Sequence, residues 1–241
     1  MGRSIATLAL QDSVFAIGAA LEAAGHEAIG RDLGAVLGQA SSLGVKVSDD
    51  ASAAIGRGDV LIEFTAPEVT VAHAQLAQQL RKPMVIGTTG LSDAQQEALR
   101  AVSKTVPMVL SPNMSVGVTV LFELARTAAE RLGSGYDLEV VEAHHRHKKD
   151  APSGTAKRLA EVLAAVRKTK GVAVPVHAVR AGDIVGDHTV ILAGPAERLE
   201  LTHRAQSREV FAQGALRAAR FVIKQQPGLY DMSHVLRAKE P

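Results

Sequence analysis

A strand–loop–helix unit that occurs three times between residues 59 and 115 constrains the fold of this chain more than any other feature. Each unit starts with an apolar run that ends in small polar residues, at Asp59–Pro67, Pro83–Gly90 and Pro107–Ser115. The stretches between them, Val69–Leu80 and Asp93–Lys104, carry Ala, Leu and Gln at helical spacing. Near-continuous apolar strands that alternate with helices are typical of a parallel sheet covered on both faces. The sequence therefore predicts an α/β fold with a Rossmann-like parallel sheet.

The loops that follow these strands are predicted to form a ligand-binding edge, because ligands of parallel sheets bind beyond the carboxyl ends of the strands. These loops contain Thr65–Pro67, Gly87–Gly90 and Ser111–Met114. Upstream, Val14–Leu21 predicts a further strand, and Glu22 after it is placed to bind the ribose hydroxyls of a dinucleotide. We therefore expect this part of the chain to bind a dinucleotide.

The first residues of the chain depart from the pattern of a dinucleotide-binding fold. Such a fold opens with a strand and a glycine-rich turn, whereas Met1–Arg3 lead directly into a predicted helix at Ser4–Leu10. Only one glycine of the turn is present, and one glycine has no weight as a motif. The cofactor prediction therefore depends on the three later loops and on Glu22.

The rest of the chain changes to consecutive strands separated by glycine turns, which is typical of an antiparallel or mixed open sheet with one free face. A partner subunit commonly buries such a face. The sequence predicts helices at Val116–Leu132, Ser153–Lys168 and Arg208–Gln225, strands at Tyr136–Glu142, Ala173–Val179, His188–Ala193 and Glu197–His203, and a tail at Leu229–Leu236. We predict a dinucleotide-binding domain at 1–114, a second, α+β domain at 115–207 for substrate binding and oligomerisation, and a C-terminal helix and tail at 208–241 that return to the first domain.

The segment Glu142–Ala156 carries three imidazoles and three permanent cations, and it leads into the start of a helix. Pro152 interrupts the chain, and Ser153 is a good N-cap. The backbone N–H groups of Gly154 and Thr155 are then expected to point toward a bound anion with the positive end of the helix dipole. Because histidine exchanges protons near neutral pH, the segment predicts a carboxylate or phosphate site with proton donors beside it.

Two other interpretations of this segment remain open, a zinc site and a solvated basic loop. The His-His-x-His spacing suits zinc, but the chain has no cysteine, and Arg146, Lys148 and Lys149 would repel a dication. A solvated loop is a common role for a run of charges, although it does not require the adjoining Pro-Ser-Gly-Thr turn.

Composition limits the classes of function. A chain of 241 residues with 46% hydrophobic content can bury a sizeable core. The surplus of 27 Lys and Arg over 25 Asp and Glu is too small to favour nucleic-acid binding. No apolar run approaches membrane-spanning length, the N-terminus lacks the order of a signal peptide, and the absence of cysteine fits a reducing compartment. We expect a cytoplasmic protein without nucleic-acid or membrane partners.

The segment Glu142–Ala156 closely resembles the signature of the 4-hydroxy-tetrahydrodipicolinate reductases, also called dihydrodipicolinate reductases, of bacterial lysine and diaminopimelate biosynthesis. Further segments resemble the same family in the same order: Ile62–Pro67, Val85–Gly90, Ser111–Gly117, Val179–His188 and Phe211–Ala219. The resemblance implies an oxidoreductase that uses NADH or NADPH to reduce a cyclic imine-type dicarboxylate, with loss of its 4-hydroxyl as water. It also implies a homotetramer formed through the sheet of the second domain.

The resemblance implies roles for individual residues as well, without any metal. It implies His144 as a proton donor or acceptor, Lys148 as a second proton donor, and His145, Gly154 and Thr155 as ligands of the substrate carboxylates. For the cofactor it implies Glu22 at the ribose and Gly87, Thr88, Thr89, Ser111, Pro112, Asn113 and Met114 on the nicotinamide side. Ala23 stands where relatives often carry an arginine, so we expect NADH to serve at least as well as NADPH unless His26 or Arg31 substitutes.

Two departures from the family keep alternatives open. The first strand and most of the glycine-rich turn are missing, and relatives carry an additional basic loop between Lys170 and Val174. Loss of that strand would expose a hydrophobic sheet edge and remove the pyrophosphate site, so we expect the intact gene product to contain both segments. The alternatives are a catalytically impaired relative that only binds or assembles, and another Rossmann oxidoreductase; an aldehyde-oxidising enzyme would need the nucleophilic cysteine that this chain lacks.

Overall fold

The structure, a computed structural model, describes residues 1–167 and 173–238 of the chain. Its contacts divide the chain into two compact units, Met1–Ser111 with Phe211–Pro241, and Pro112–Val210. In the part of the chain that is described, no helix is both long enough and apolar enough to cross a membrane. The predicted helix end at Lys168 and most of the predicted short loop at Lys170–Val174 lie outside the described residues.

The helices and strands follow the chain in an order close to that predicted. They are α1 Gly2–Leu10, β1 Ala20–Leu21, α2 Leu33–Leu37, β2 Val47–Ser48, α3 Ala51–Arg57, β3 Leu61–Glu63, α4 Pro67–Leu80, β4 Met84–Ile86, α5 Asp93–Ser103, β5 Pro107–Leu110, α6 Val116–Leu132, β6 Asp137–His144, α7 Gly154–Arg167, β7 Val176–Arg180, β8 Asp187–Ala193, β9 Arg198–Arg204, α8 Glu209–Val222, β10 Gly228–Tyr230 and α9 Met232–Arg237.

The strands of the first unit form two parallel sheets. Strand β1 pairs with β2, and a separate sheet has the order β10-β5-β4-β3. The three residues of β4, Met84–Ile86, are fully buried, whereas Leu61 and Ile62 of β3 are half-buried, as expected for a strand at the edge of its sheet. The predicted Rossmann-like parallel sheet is confirmed, with each strand shorter than its apolar run because the polar ends of the runs form loops.

Two element predictions for the first unit were wrong. Val14–Leu21 is a strand only at its last two residues, because Asp12 accepts hydrogen bonds from the backbone N–H groups of Val14 and Phe15 and so forms a turn. The predicted tail after α8 contains strand β10, which extends the parallel sheet. This strand contains only two apolar residues, Leu229 and Tyr230, between Gly228 and Asp231, so the sequence has no apolar run there that could be recognised.

The second unit is a mixed four-stranded sheet in the order β7-β6-β8-β9. Strand β6 is parallel to β7 and antiparallel to β8, which is antiparallel to β9, so the predicted open mixed sheet is confirmed. Helices α6 and α7 cover one face of this sheet. Leu159 and Leu163 of α7 are fully buried in one core with Val140, Val190 and Leu192 of the strands.

Candidate active site

Strand β6 carries two polar side chains on the face of its sheet that the helices cover. Burial alternates along the strand, so Glu142 and His144 follow Leu138 and Val140 on the buried face. Glu142 is completely buried, and the His144 side chain is 10% exposed. A carboxylate in such a position is stable only if its charge is compensated by hydrogen bonds or by a partner charge.

The carboxylate of Glu142 receives four hydrogen bonds. Arg180 donates through Nη1 to Oε2 and through Nη2 to Oε1, both at 2.8 Å. The backbone N–H of Ser153 donates to Oε1 at 3.0 Å, and Nδ1 of His144 lies 2.5 Å from Oε2. Burial raises the pKa of Glu142, but the hydrogen bonds from Arg180, His144 and Ser153 outweigh it and bring the pKa below its usual value. Glu142 is therefore ionised at neutral pH.

The imidazole of His144 is neutral near pH 7. Burial is the largest effect and lowers the pKa of His144. The hydrogen bond and charge of Glu142 raise this pKa, whereas the charges of Lys148 and Arg180 lower it. The net result is a pKa below the usual value of histidine. On the other side of the ring, Gly186 lies close to Nε2 of His144. A Cβ built on Gly186 would lie 3.1 Å from Nε2 of His144, which is tighter than ordinary contact.

A second buried imidazole lies against His144. His188 on β8 is 3% exposed, and its ring meets that of His144 edge-on at a centroid distance of 5.2 Å. Its Nε2 is 3.2 Å from Oγ of Ser153. Burial, followed by the charge of His144, lowers the pKa of His188 to about 3, so this ring stays neutral while His144 can titrate.

The loop after β6 carries the cations of the predicted anion site, and hydrogen bonds join it to the loop after β7. The N–H of Ala181 donates to the carbonyl of His144, and the N–H of Arg146 donates to that of Gly182. Nζ of Lys148 lies 2.7 Å from Oδ1 of Asp150, a partner that the sequence analysis did not consider. Burial raises the pKa of Asp150, and the hydrogen bond and charge of Lys148 outweigh it, so this carboxylate is ionised.

Helix α7 starts where it was predicted, with Ser153 as its cap. Oγ of Ser153 accepts the N–H of Ala156 at 3.2 Å. Gly154 is exposed, whereas Thr155 is buried and its Oγ1 accepts a hydrogen bond of 2.9 Å from Nδ2 of Asn113. The first N–H groups of the helix have no acceptor within the helix itself and can bind an anion.

A further cation lies beside one of the predicted carboxylate ligands. Nη2 of Arg208 is 3.4 Å from Nε2 of His145, and the Arg208 side chain is exposed. Arg208 could not be connected with this site from the sequence, because it is 63 residues from His145 in the chain. Within the described residues, no group of three or more His, Cys, Asp or Glu side chains is arranged to hold a metal ion.

In the first unit, a polar network orders the loops after β3 and β4. Glu63 is buried, and its Oε2 lies 2.7 Å from Nδ1 of His73, while Oγ1 of Thr65 donates to its other oxygen. Oγ1 of Thr88 accepts the N–H of Thr65 at 3.2 Å and lies 2.7 Å from Oγ1 of Thr70. The Thr88 hydroxyl is thus part of the scaffold, and the next residue, Thr89, is exposed.

The remaining predicted cofactor residues fall at or after the ends of parallel strands. Glu22 follows β1 and is exposed, and its Oε1 accepts the N–H of Ala23 at 2.9 Å. Gly87 follows β4, where a Cβ would lie 2.2 Å from the ring of Phe64, so only glycine fits there. Ser111 follows β5 in the first unit and is buried. The residues Pro112, Asn113 and Met114 belong to the second unit.

Comparisons with known proteins decide the family. The model of the N-terminal part of dihydrodipicolinate reductase matches residues 1–114, and the model of its C-terminal part matches residues 117–236. The chain belongs to the dihydrodipicolinate reductase family. The resemblance seen in the sequence is confirmed.

Relatives in this family align with almost the whole chain. A 4-hydroxy-tetrahydrodipicolinate reductase from Aromatoleum aromaticum is 46% identical over 253 aligned residues, which cover 98% of this chain and 91% of the relative. The enzyme of the same name from Syntrophus aciditrophicus is 44% identical, with coverage of 98% and 94%. Among solved structures, dipicolinate-bound dihydrodipicolinate reductase from Paenisporosarcina sp. TG-14 is 25% identical, with a TM-score of 0.74 over 95% of this chain and 92% of that one.

Three members of the buried network were not assigned a role in the sequence analysis: Glu142, Arg180 and His188. One signal was available for Glu142, because it lies two residues before His144 in a strand and therefore shares its face. Arg180 and His188 could not be connected to it without the strand register, which pairs His144 with Arg180 and Glu142 with His188.

Proposed function

We propose that this member of the dihydrodipicolinate reductase family catalyses the NAD(P)H-dependent reduction of 4-hydroxy-tetrahydrodipicolinate to tetrahydrodipicolinate in lysine and diaminopimelate biosynthesis. One observation carries the proposal. The segment Glu142–Ala156 combines an imidazole paired with a buried carboxylate, a lysine and the start of a helix, which together suit a dianion that must exchange protons.

The first unit supports the binding of a reduced dinucleotide. The exposed carboxylate of Glu22 at the end of a parallel strand suits ribose hydroxyls. We assign the nicotinamide side to Gly87, Thr88, Thr89, Ser111, Pro112, Asn113 and Met114. When bound, the dinucleotide supplies the hydride, and the protein's own residues supply orientation and protons.

Proton transfers account for the proposed roles of His144 and Lys148. Loss of the 4-hydroxyl as water needs a proton on the leaving oxygen and the removal of one from the neighbouring carbon. The reduction then adds one hydride and one proton, so each turnover consumes one NAD(P)H and one proton and releases one water. We assign Lys148 to protonation of the leaving oxygen and His144 to proton exchange at carbon.

The two substrate carboxylates need cations and N–H donors. We assign His145 and the N–H groups of Gly154 and Thr155 to these carboxylates, with the positive end of α7 behind them. Arg208 beside His145 adds a permanent charge that can form two parallel hydrogen bonds to a carboxylate. In this way the residues proposed to bind the substrate all belong to the second unit.

Replacement of His144 and Lys148 together tests the proposed chemistry. The double variant His144→Gln/Lys148→Gln should lose at least about 10³-fold in kcat, because each proton transfer contributes about 10²- to 10⁴-fold. Oxidation of NADH by 4-hydroxy-tetrahydrodipicolinate is followed by absorbance. The matched control is His147→Gln/Lys149→Gln, which removes the same residue types from exposed positions in the same segment. Unchanged turnover in the first double variant would contradict the proposal.

The preference between the two dinucleotides follows from the residues after β1. We propose that NADH is used at least as well as NADPH, because Glu22 repels a 2′-phosphate and Ala23 offers it no cation. Nδ1 of His26 accepts the N–H of Ala28 and is occupied in a turn. Paired measurements of kcat/KM with NADH and NADPH check this, and a strong preference for NADPH would refute it.

Assembly and location complete the proposal. We propose a homotetramer that forms through the uncovered face of the second unit's sheet, which carries Val141, Val179 and Ile191.

The absence of cysteine and the use of a reduced dinucleotide support a cytoplasmic location. Cell fractionation checks the location, since recovery outside the cytoplasmic fraction would contradict it.

A further inference from the structure

The network around Glu142 determines which nitrogen of the His144 ring carries the proton, as well as the position of that ring. A carboxylate can only accept hydrogen bonds, and Glu142 is ionised because Arg180 and Ser153 already donate three hydrogen bonds to it. Nδ1 of His144, 2.5 Å from Oε2, must therefore carry a proton. The neutral ring has only one N–H, so Nε2 keeps its lone pair.

We propose that Glu142, held in place by Arg180, is a positioning residue that fixes His144 as the Nδ1–H tautomer and thereby makes Nε2 the nitrogen that exchanges protons with the substrate. This inference rests on the proposed function only for the identity of the substrate. Within the described residues the His144 ring makes its hydrogen bond through Nδ1, and Gly186 lacks the Cβ that would lie 3.1 Å from Nε2.

A change of Glu142 to glutamine should reverse the tautomer. The amide oxygen belongs at the Oε1 position, where two donors, Nη2 of Arg180 and the N–H of Ser153, converge. The amide NH2 then occupies the Oε2 position and faces Nδ1 of His144. In the opposite orientation the amide NH2 would face two donors, Nη2 of Arg180 and the N–H of Ser153, instead of the single donor Nη1 of Arg180. Glu142→Gln therefore favours the Nε2–H form of His144, in which the reactive nitrogen has no lone pair.

The pH dependence should change in a defined direction. The charged and titratable groups that face His144 are Glu142 on its own strand, Arg180 on β7, His188 on β8 and Lys148 in the following loop. Among these groups only Glu142 raises the pKa of His144, so its neutralisation lowers that pKa further. The limb of the kcat/KM profile that belongs to His144 should then move toward acid.

The experiment reads the tautomer directly in the substrate-free protein. In protein labelled with ¹⁵N-histidine, NMR distinguishes the protonated from the unprotonated ring nitrogen, and His144→Asn assigns the signals. Wild type is expected to show His144 with its proton on Nδ1, and Glu142→Gln with its proton on Nε2. The kcat of this variant should fall about 10²-fold or more, while the KM for NADH changes less than about twofold.

The control is an exposed Glu–Arg pair on α7 of the same unit. Oε2 of Glu161 lies 3.0 Å from Nη1 of Arg158, and both side chains are exposed, by 63% and 54%. Glu161→Gln should leave the tautomer of His144, kcat and the pH profile unchanged. A purely structural role of Glu142 would reduce the yield of folded protein without moving the tautomer or the pH limb.

Wild-type protein alone can overturn the proposal, whether or not the variant folds. A proton on Nε2 of His144 in wild type would refute it, as would a Glu142→Gln variant with unchanged tautomer and kcat. Since the NMR measurement needs no substrate, a correct tautomer in a protein that fails to reduce the dicarboxylate would count against the proposed function only.

Discussion

Glu142 and His188 are polar residues buried side by side, and their neighbours keep Glu142 ionised and His188 neutral. Glu142 keeps its charge because Arg180, His144 and Ser153 donate to both of its oxygens. His188 has only the hydroxyl of Ser153 beside its Nε2 and stays neutral. The number of donors and acceptors around a buried group, more than its intrinsic acidity, decides whether it is charged.

The neutral state of His188 predicts a pH-dependent stability. Its pKa is about 3 in the folded protein and near 6.5 in the unfolded chain, which therefore binds more protons between these pH values. Stability contributed by the neutral ring is complete above pH 6.5 and is lost as pH falls toward 3. The slope of unfolding free energy against pH from this residue reaches about 1.4 kcal/mol per pH unit.

Urea unfolding of wild type and His188→Gln between pH 4 and pH 7 measures this slope. The free energy of unfolding of the variant should depend less on pH than that of wild type, whatever the absolute stability of the variant. His147→Gln, which removes an exposed histidine, should keep the wild-type slope. Equal slopes for wild type and His188→Gln would mean that His188 binds its proton equally well in the folded and unfolded states.

Among the elements, α7 links the site to the core. Its cap residue Ser153 meets three elements at once, through Oγ to the helix N–H of Ala156 and to His188 on β8, and through its N–H to Glu142 on β6. One face of the helix is buried in the core of the second unit. The N–H groups at the start of α7 are therefore held fixed relative to Glu142 and His188.

Local sequence signals predicted most elements of this fold, and the failures have identifiable causes. Apolar runs followed by small polar residues gave β3, β4 and β5, and Ser153 gave the start of α7, because these signals lie within a few residues of each other. Strand β10 was missed because its pairing partner β5 is more than a hundred residues away. Arg180 was missed for the same reason, since it is 38 residues from Glu142 and only the strand register joins them.

At the scale of the whole molecule, the proposed tetramer predicts a mass near four times that of one 25.3 kDa chain. Val179 on the uncovered sheet face is 44% exposed in a single chain, and burial of such apolar side chains drives association. Sedimentation of Val179→Asp should give smaller species than wild type. Val69→Asp, a similar change at a 40% exposed position on α4, should leave assembly intact. A wild-type mass of one chain would contradict the tetramer.

In the mostly antiparallel sheet of the second unit, β6 and β7 run side by side in the same direction and stop together at His144 and Arg180. The segments that follow these strand ends, 145–152 and 181–186, contain positions at which changes can alter which acid is reduced, whereas the opposite ends of the strands only maintain the framework. A directed-evolution library for new acids is best restricted to these two segments, with the proposed site residues His145 and Lys148 unchanged, and with Gly186 unchanged because the reactive ring lies against it.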